Sequence, residues 1–122
     1  GEWNNTATYL ARPEAERSFN GSNASVWVRL CMFQQLKLAF GENFYHELHR
    51  QARRETARPT TTDTRMRWFM LKACSISGKN LTSFFQKWGM KLSTQTATDA
   101  VFTEIVALGL PNPATDLTLL TD

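Results

Sequence analysis

No apolar run in this chain reaches the ~18 residues that a membrane-spanning helix needs, so a helical membrane span is excluded. Cysteine is scarce. Cys31 and Cys74 are the only two, and they lie too far apart for a C-x-x-C pair, which removes the usual zinc and redox motifs. Charge of one sign is also in short supply: 14 Lys and Arg against 11 Asp and Glu leave a formal net charge of +3. The one basic concentration, "HRQARRETAR" with Arg50, Arg53, Arg54 and Arg58, comes with no nucleic-acid recognition motif and no interleaved exposed aromatics, so it reads as a solvated helix face and no nucleic-acid partner is expected. There is no internal repeat and no low-complexity tract. What is present, 122 residues with 42% hydrophobic and 20% charged content, suits one folded domain with one core. The chain opens on Gly1 rather than Met, which reads as a processed or excised piece, with targeting information expected elsewhere.

Histidine is scarce too, and both copies sit in "HELHR", residues 46 to 50. A zinc-peptidase helix reads H-E-x-x-H, because residues i and i+4 share a face and both imidazoles reach one ion. Here the position four after His46 is Arg50, a guanidinium that cannot ligate a metal. The second histidine, His49, falls at i+3. No carboxylate stands three residues before either histidine, so the Glu-x-x-His arrangement of di-metal bundles is missing as well. Solvated histidines on an outer helix face are the expected reading, and no metal ligand set is assigned. Asn-x-Ser/Thr triplets begin at Asn4, Asn20, Asn23 and Asn80 and matter only in a glycosylating host.

The periodicity predicts an all-α bundle of about five helices. Residues 1–24 lack a clean period and read as a linker or loop with room for a short helix in "NTATYLARPEAER". A helix from Ser25 to Phe40, "VWVRLCMFQQLKLAF", stops at Gly41. It is apolar almost all round, interrupted only by Arg29, Gln34, Gln35 and Lys37, which predicts a central position. A second helix spans Glu42 to Glu55 with Phe44, Tyr45, Leu48 and Ala52 inward. Pro59 breaks the chain, and Thr62 or Asp63 caps a third helix over Thr64 to Ser77. A short fourth helix follows an Asn80 cap, with Leu81, Phe84, Phe85 and Trp88 at i, i+3, i+4 and i+7. A last helix runs from Thr98 to Leu108. The expected core comprises Leu30, Phe33, Leu36, Phe40, Phe44, Leu48, Phe69, Leu81, Phe84, Phe85, Trp88 and Ile105. Cys31 and Cys74 sit in apolar stretches, as buried free thiols or as partners in a helix-to-helix disulfide. The first helix is too apolar to have one wet side, so a residual apolar patch is expected near Trp27 or the N-terminal loop.

Five pieces occur in an order that resembles the C-terminal part of the enhancin-like metallopeptidase domain: Gln35-Leu36 with Phe40-Gly41, Phe44-Tyr45 with Leu48-His49, the helix around Trp68, Leu81 with Phe84-Phe85 and Trp88-Gly89, and Leu108 to Pro113. The resemblance covers residues 25–113, with 114–122 as a C-terminal tail. That family includes viral enhancins and secreted bacterial mucin-degrading proteins. The resemblance implies a larger zinc peptidase acting on glycoproteins such as mucins, secreted or at the cell surface, in which this chain is a non-catalytic C-terminal helical subdomain partnered by the upstream catalytic part. Zinc belongs to that parent, and no cofactor is expected in this chain, because H-E-x-x-H is absent from it. The family's later zinc-ligand Glu lies in an "E-x-x-N-N"-like stretch. In "GEWNN", Glu2 stands one residue too close to Asn4-Asn5, so it is either a remnant of that ligand or a coincidence. The implied oxidising compartment would favour a Cys31–Cys74 bridge. The competing readings are a free-standing helical module that binds glycan or protein and, ranked below it, a helix-turn-helix nucleic-acid binder.

Overall fold

The computed structural model describes residues 2–21 and 24–122. Gly1 lies outside them, and the Asn20 and Asn23 triplets run into the undescribed residues 22 and 23. Among the described residues six helices form: α1 (Glu2–Leu10), α2 (Val26–Phe40), α3 (Glu42–Arg54), α4 (Thr62–Ser77), α5 (Thr82–Lys87) and α6 (Gln95–Ala107), with short 3-10 turns at Glu14–Glu16 and Leu117–Leu119. Among the described residues there is no strand, and the fold is all-α.

The helix ends follow from local chemistry. The Ser25 hydroxyl accepts from the Val28 amide at 3.1 Å, relieving one of the orphan donors of α2. Gly41 joins α2 to α3 at φ 85° and ψ 175°, a conformation essentially restricted to glycine. Thr61 and Thr64 cap α4 reciprocally, and the Thr94 hydroxyl accepts from the Ala97 amide to start α6. Asn80 works one residue earlier than a simple cap. Its side chain takes the Thr82 amide at 3.0 Å, while Leu81 occupies the N-cap position of α5.

α2 packs against α1, α3 and the turn at Leu117–Leu119; α3 packs on α4, and α4 on α6. The ring of Phe33 meets Phe69 of α4 at 5.4 Å and Tyr45 of α3 at 6.4 Å, and Phe69 meets Phe85 at 6.3 Å. Leu36, Phe44, Leu48, Leu81, Phe84, Phe85, Trp88 and Ile105 are buried, and Phe33, Phe40 and Phe69 are partly buried against them. Leu30 differs from expectation: it is 49% exposed. At 3.6 residues per turn it falls on the side of α2 opposite the Val28, Met32 and Gln35 face that packs inward. Ala52, at the far end of the α3 stripe, is exposed as well.

The short helix for which the N-terminal sequence left room forms over Glu2–Leu10 and is docked on the bundle. α1 docks on α2, and Tyr9 is buried with its ring stacked on Trp88, 5.6 Å between centroids. Its sequence signal is weak because threonine fills part of the inward face: Thr6 is buried one turn before Tyr9. The tail is also tied down. Leu117 is buried, and Asp122 accepts hydrogen bonds from the Trp3 indole at 2.7 Å and the Gln34 amide at 2.8 Å, so the two ends of the described chain meet.

Gln35, which interrupts an apolar helix in the sequence, is fully buried at 0% exposure. Its Oε1 accepts from the Trp88 indole N–H at 2.8 Å, and its Nε2 donates to the carbonyls of Thr118 at 2.9 Å and Leu120 at 3.2 Å. The Tyr9 hydroxyl donates to the Trp88 carbonyl at 2.6 Å. Phe19 sets its edge on the Trp88 ring, and its amide donates to the Gly89 carbonyl at 3.0 Å.

Truncation of the fully buried Trp88 to Ala is expected to lower the unfolding free energy by about 3–5 kcal/mol, seen as a fall in the urea midpoint; an unchanged midpoint would show that the indole is not part of the core. A second expectation concerns alkali. Burial raises the Tyr9 pKa from 10.0 to about 12, with Arg17 and Arg12 pulling it back. The folded value lies above the unfolded one, so the stability Tyr9 contributes is whole below pH 10 and is lost as pH rises through about 12. Tyr9→Phe should therefore flatten part of the alkaline fall in stability, and identical pH profiles for the two proteins would contradict this.

Candidate functional site

Helix α3 carries the chemically richest short stretch, "HELHR", and the structure shows what its geometry allows. Both histidines are exposed. His46 lines an open recess of about 550 Å³ between α3 and the end of α4, with Phe40, Asn43, Glu47, Arg50 and Ser77 around it. His49 lies instead beside Tyr45, 6.5 Å between ring centroids. Glu47 is engaged on both oxygens, by Arg50 at 2.8 Å and by Gln51 at 3.1 Å. A carboxylate held by a guanidinium and an amide is a structural group on a solvated face, not a base poised over a metal-bound water.

The other sequence candidates do not join this recess. Glu2 is exposed at the start of α1, where Asn5 donates to its carboxylate at 3.3 Å. Cys31 and Cys74 are both buried free thiols, and burial pushes the Cys74 pKa up to about 11, so its thiolate is suppressed at neutral pH. Tyr45 is half-buried on α3, donates its hydroxyl to the Phe33 carbonyl, and has its pKa raised by burial. Among the described residues, no three His, Cys, Asp or Glu side chains converge to hold a metal ion. The donor set therefore does not fit a zinc-peptidase site: His46 and His49 differ in surroundings, Arg50 holds the ligand position at i+4, and Glu2 is on another helix.

A second concave feature escaped the sequence reading. It lies where α3 ends and α4 begins, and is lined by Glu55, Arg58, Pro59, Arg65 and Trp68, with exposed Ala52 at its edge. The signal available in the sequence was the arginine cluster, which spreads over an outer face without indicating that Trp68 would stand beside it. Elsewhere the surface charges pair: Arg67 makes a two-pronged contact with Glu104 at 2.8 and 2.9 Å, which holds the Glu104 pKa below the usual carboxylate range.

Calorimetric titration of this chain with zinc is expected to give no stoichiometric binding. A one-to-one isotherm that disappears in a His46→Ala, His49→Ala double variant would contradict the geometry above.

The family model for peptidase M60, enhancin and enhancin-like, matches residues 1–89. The matched span takes in α1 and stops at Gly89, before α6 and the "LGLPNP" stretch. No curated protein matches the sequence. Two solved structures superpose on the whole chain with a TM-score of 0.79 at 31% identity, one of a functionally unknown conserved protein and one of a functionally unknown conserved protein mutant, both from Bacillus anthracis str. Ames. This chain spans 24% of the length of each. With nearly three-quarters of its residues under the family model, the chain belongs to the peptidase M60, enhancin and enhancin-like family.

Proposed function

We propose that this chain is the non-catalytic, C-terminal helical part of a secreted zinc metallopeptidase acting on glycoproteins such as mucins, and that it buttresses the catalytic helix and one wall of the substrate cleft. The observation that carries the reading is the family match over residues 1–89 in a chain whose own donor set does not fit a zinc-peptidase site. The 24% span of the two Bacillus anthracis proteins supports it, since proteins with this fold extend well beyond it. Zinc, the water it activates and the substrate groups belong, in this reading, to the rest of the protein.

The buttressing face is α2. Val26, Trp27, Leu30 and Leu38 are exposed on one side of that helix, Trp27 at 63%. Large apolar side chains exposed together on a folded domain mark a surface that another body covers, and the catalytic part is the body assigned here. Dye binding and sedimentation test this. The chain is expected to bind a hydrophobic dye while folded, or to self-associate weakly. A Trp27→Ser, Leu30→Ser double variant should lose both while shifting stability by no more than about 0.5 kcal/mol, as exposed substitutions do. A strict monomer without dye binding would count against a covered face and favour a free-standing glycan- or protein-binding module.

A further inference from the structure

We infer that the groove between the end of α3 and the start of α4 binds an acidic sugar unit, a pyranose bearing one carboxylate. It is an open groove of about 250 Å³, just under the ~300–1,000 Å³ of drug-sized pockets, which suits a single ring. Trp68, half-buried, forms one wall. An indole offers a π-face to the C–H face of a sugar ring and is an amphipathic contact residue. Arg58, from the connection between the helices, and Arg65, from the first turns of α4, are exposed and line the same groove. Guanidinium recognises carboxylate through parallel N–H donors.

Glu55 separates a sugar acid from a simple anion. Its Oε1 accepts from the Trp68 indole N–H at 2.9 Å and faces the Lys72 ammonium at 3.8 Å. Lys72 also stands over the Trp68 ring, 6.0 Å from its centroid. The Glu55 charge is thus offset by Lys72, and its Oε2 is left to accept. A carboxylate acceptor beside two guanidinium donors suits a ligand that carries hydroxyl donors and an anionic acceptor together. Inorganic phosphate carries no ring to lie against Trp68, and a neutral sugar brings no anion to the guanidinium groups. The inference rests on this groove alone and stands apart from the peptidase reading.

The indole N–H of Trp68 is the probe. In a ¹H–¹⁵N spectrum of the chain, assigned by loss of one peak in Trp68→Phe, methyl glucuronide is expected to shift the Trp68 indole resonance saturably. Methyl glucoside and inorganic phosphate at equal concentration should not. An Arg58→Gln, Arg65→Gln double variant should weaken glucuronide binding by about tenfold or more while keeping the wild-type denaturation midpoint, because neither side chain is part of the core. No shift with glucuronide up to about 50 mM, well above a 1 mM dissociation constant, would overturn the proposal. So would an equal shift with the glucoside, which removes anion recognition, or with phosphate, which removes the sugar.

Discussion

The hydrogen bond from the Trp88 indole to Gln35 Oε1, 2.8 Å long and fully buried, is the contact on which the rest of the molecule depends. A buried amide must satisfy both ends, because an unpaired donor or acceptor costs about 1–3 kcal/mol. Gln35 meets that demand with Trp88 on one side and two tail carbonyls on the other. One side chain thereby fixes α2, the end of α5 and the C-terminal turn against one another. Trp88 extends the reach through its own carbonyl to Tyr9 of α1, and through ring contacts to Tyr9 and Phe19. Gly89 completes the arrangement. It sits at φ 71°, and an added Cβ would lie 2.4 Å from the Arg17 carbonyl oxygen, so the segment after α1 closes over Trp88 only because nothing projects from the next residue.

This constraint accounts for the character of the domain. Its polar precision is spent inside, on holding segments that are distant in sequence, while most of its charged side chains lie on solvated faces or pair at the surface. Glu47 with Arg50 and Arg67 with Glu104 are contacts of that kind. In the function proposed above, a scaffold so organised positions surfaces and leaves the chemistry to the rest of the protein. The exposed apolar side of α2 and the basic, indole-walled groove beyond α3 are two such surfaces, set on different helices and suited to different occupants.

Much of the fold was legible from periodicity and punctuation. The five long or aromatic-striped helices announce themselves through Gly41, Pro59, Gly78 and Gly89 and through apolar spacing. α1 was only partly legible: the sequence left room for a short helix there, but Thr6 substitutes for an apolar residue on its inward face and Tyr9 acts through a partner seventy-nine positions away, so its docking gave no signal. Leu30 misled because an almost uniformly apolar helix gives no sign of which side is covered. Gln35 misled in the opposite sense: a polar residue in such a helix reads as an interruption until its partners are seen. The groove at Trp68 was hidden for a related reason, since Arg58, Arg65 and the indole come together only when the chain turns at Pro59.

Native-state hydrogen exchange of the Trp88 indole N–H is the most direct measurement of the central claim. If the Trp88–Gln35 contact ties the segments into one cooperative unit, this proton exchanges only through global unfolding, with the same free energy as the slowest amides of α2 and α4. Exchange through a local opening, at a free energy well below that limit while the α2 amides remain protected, would contradict the account.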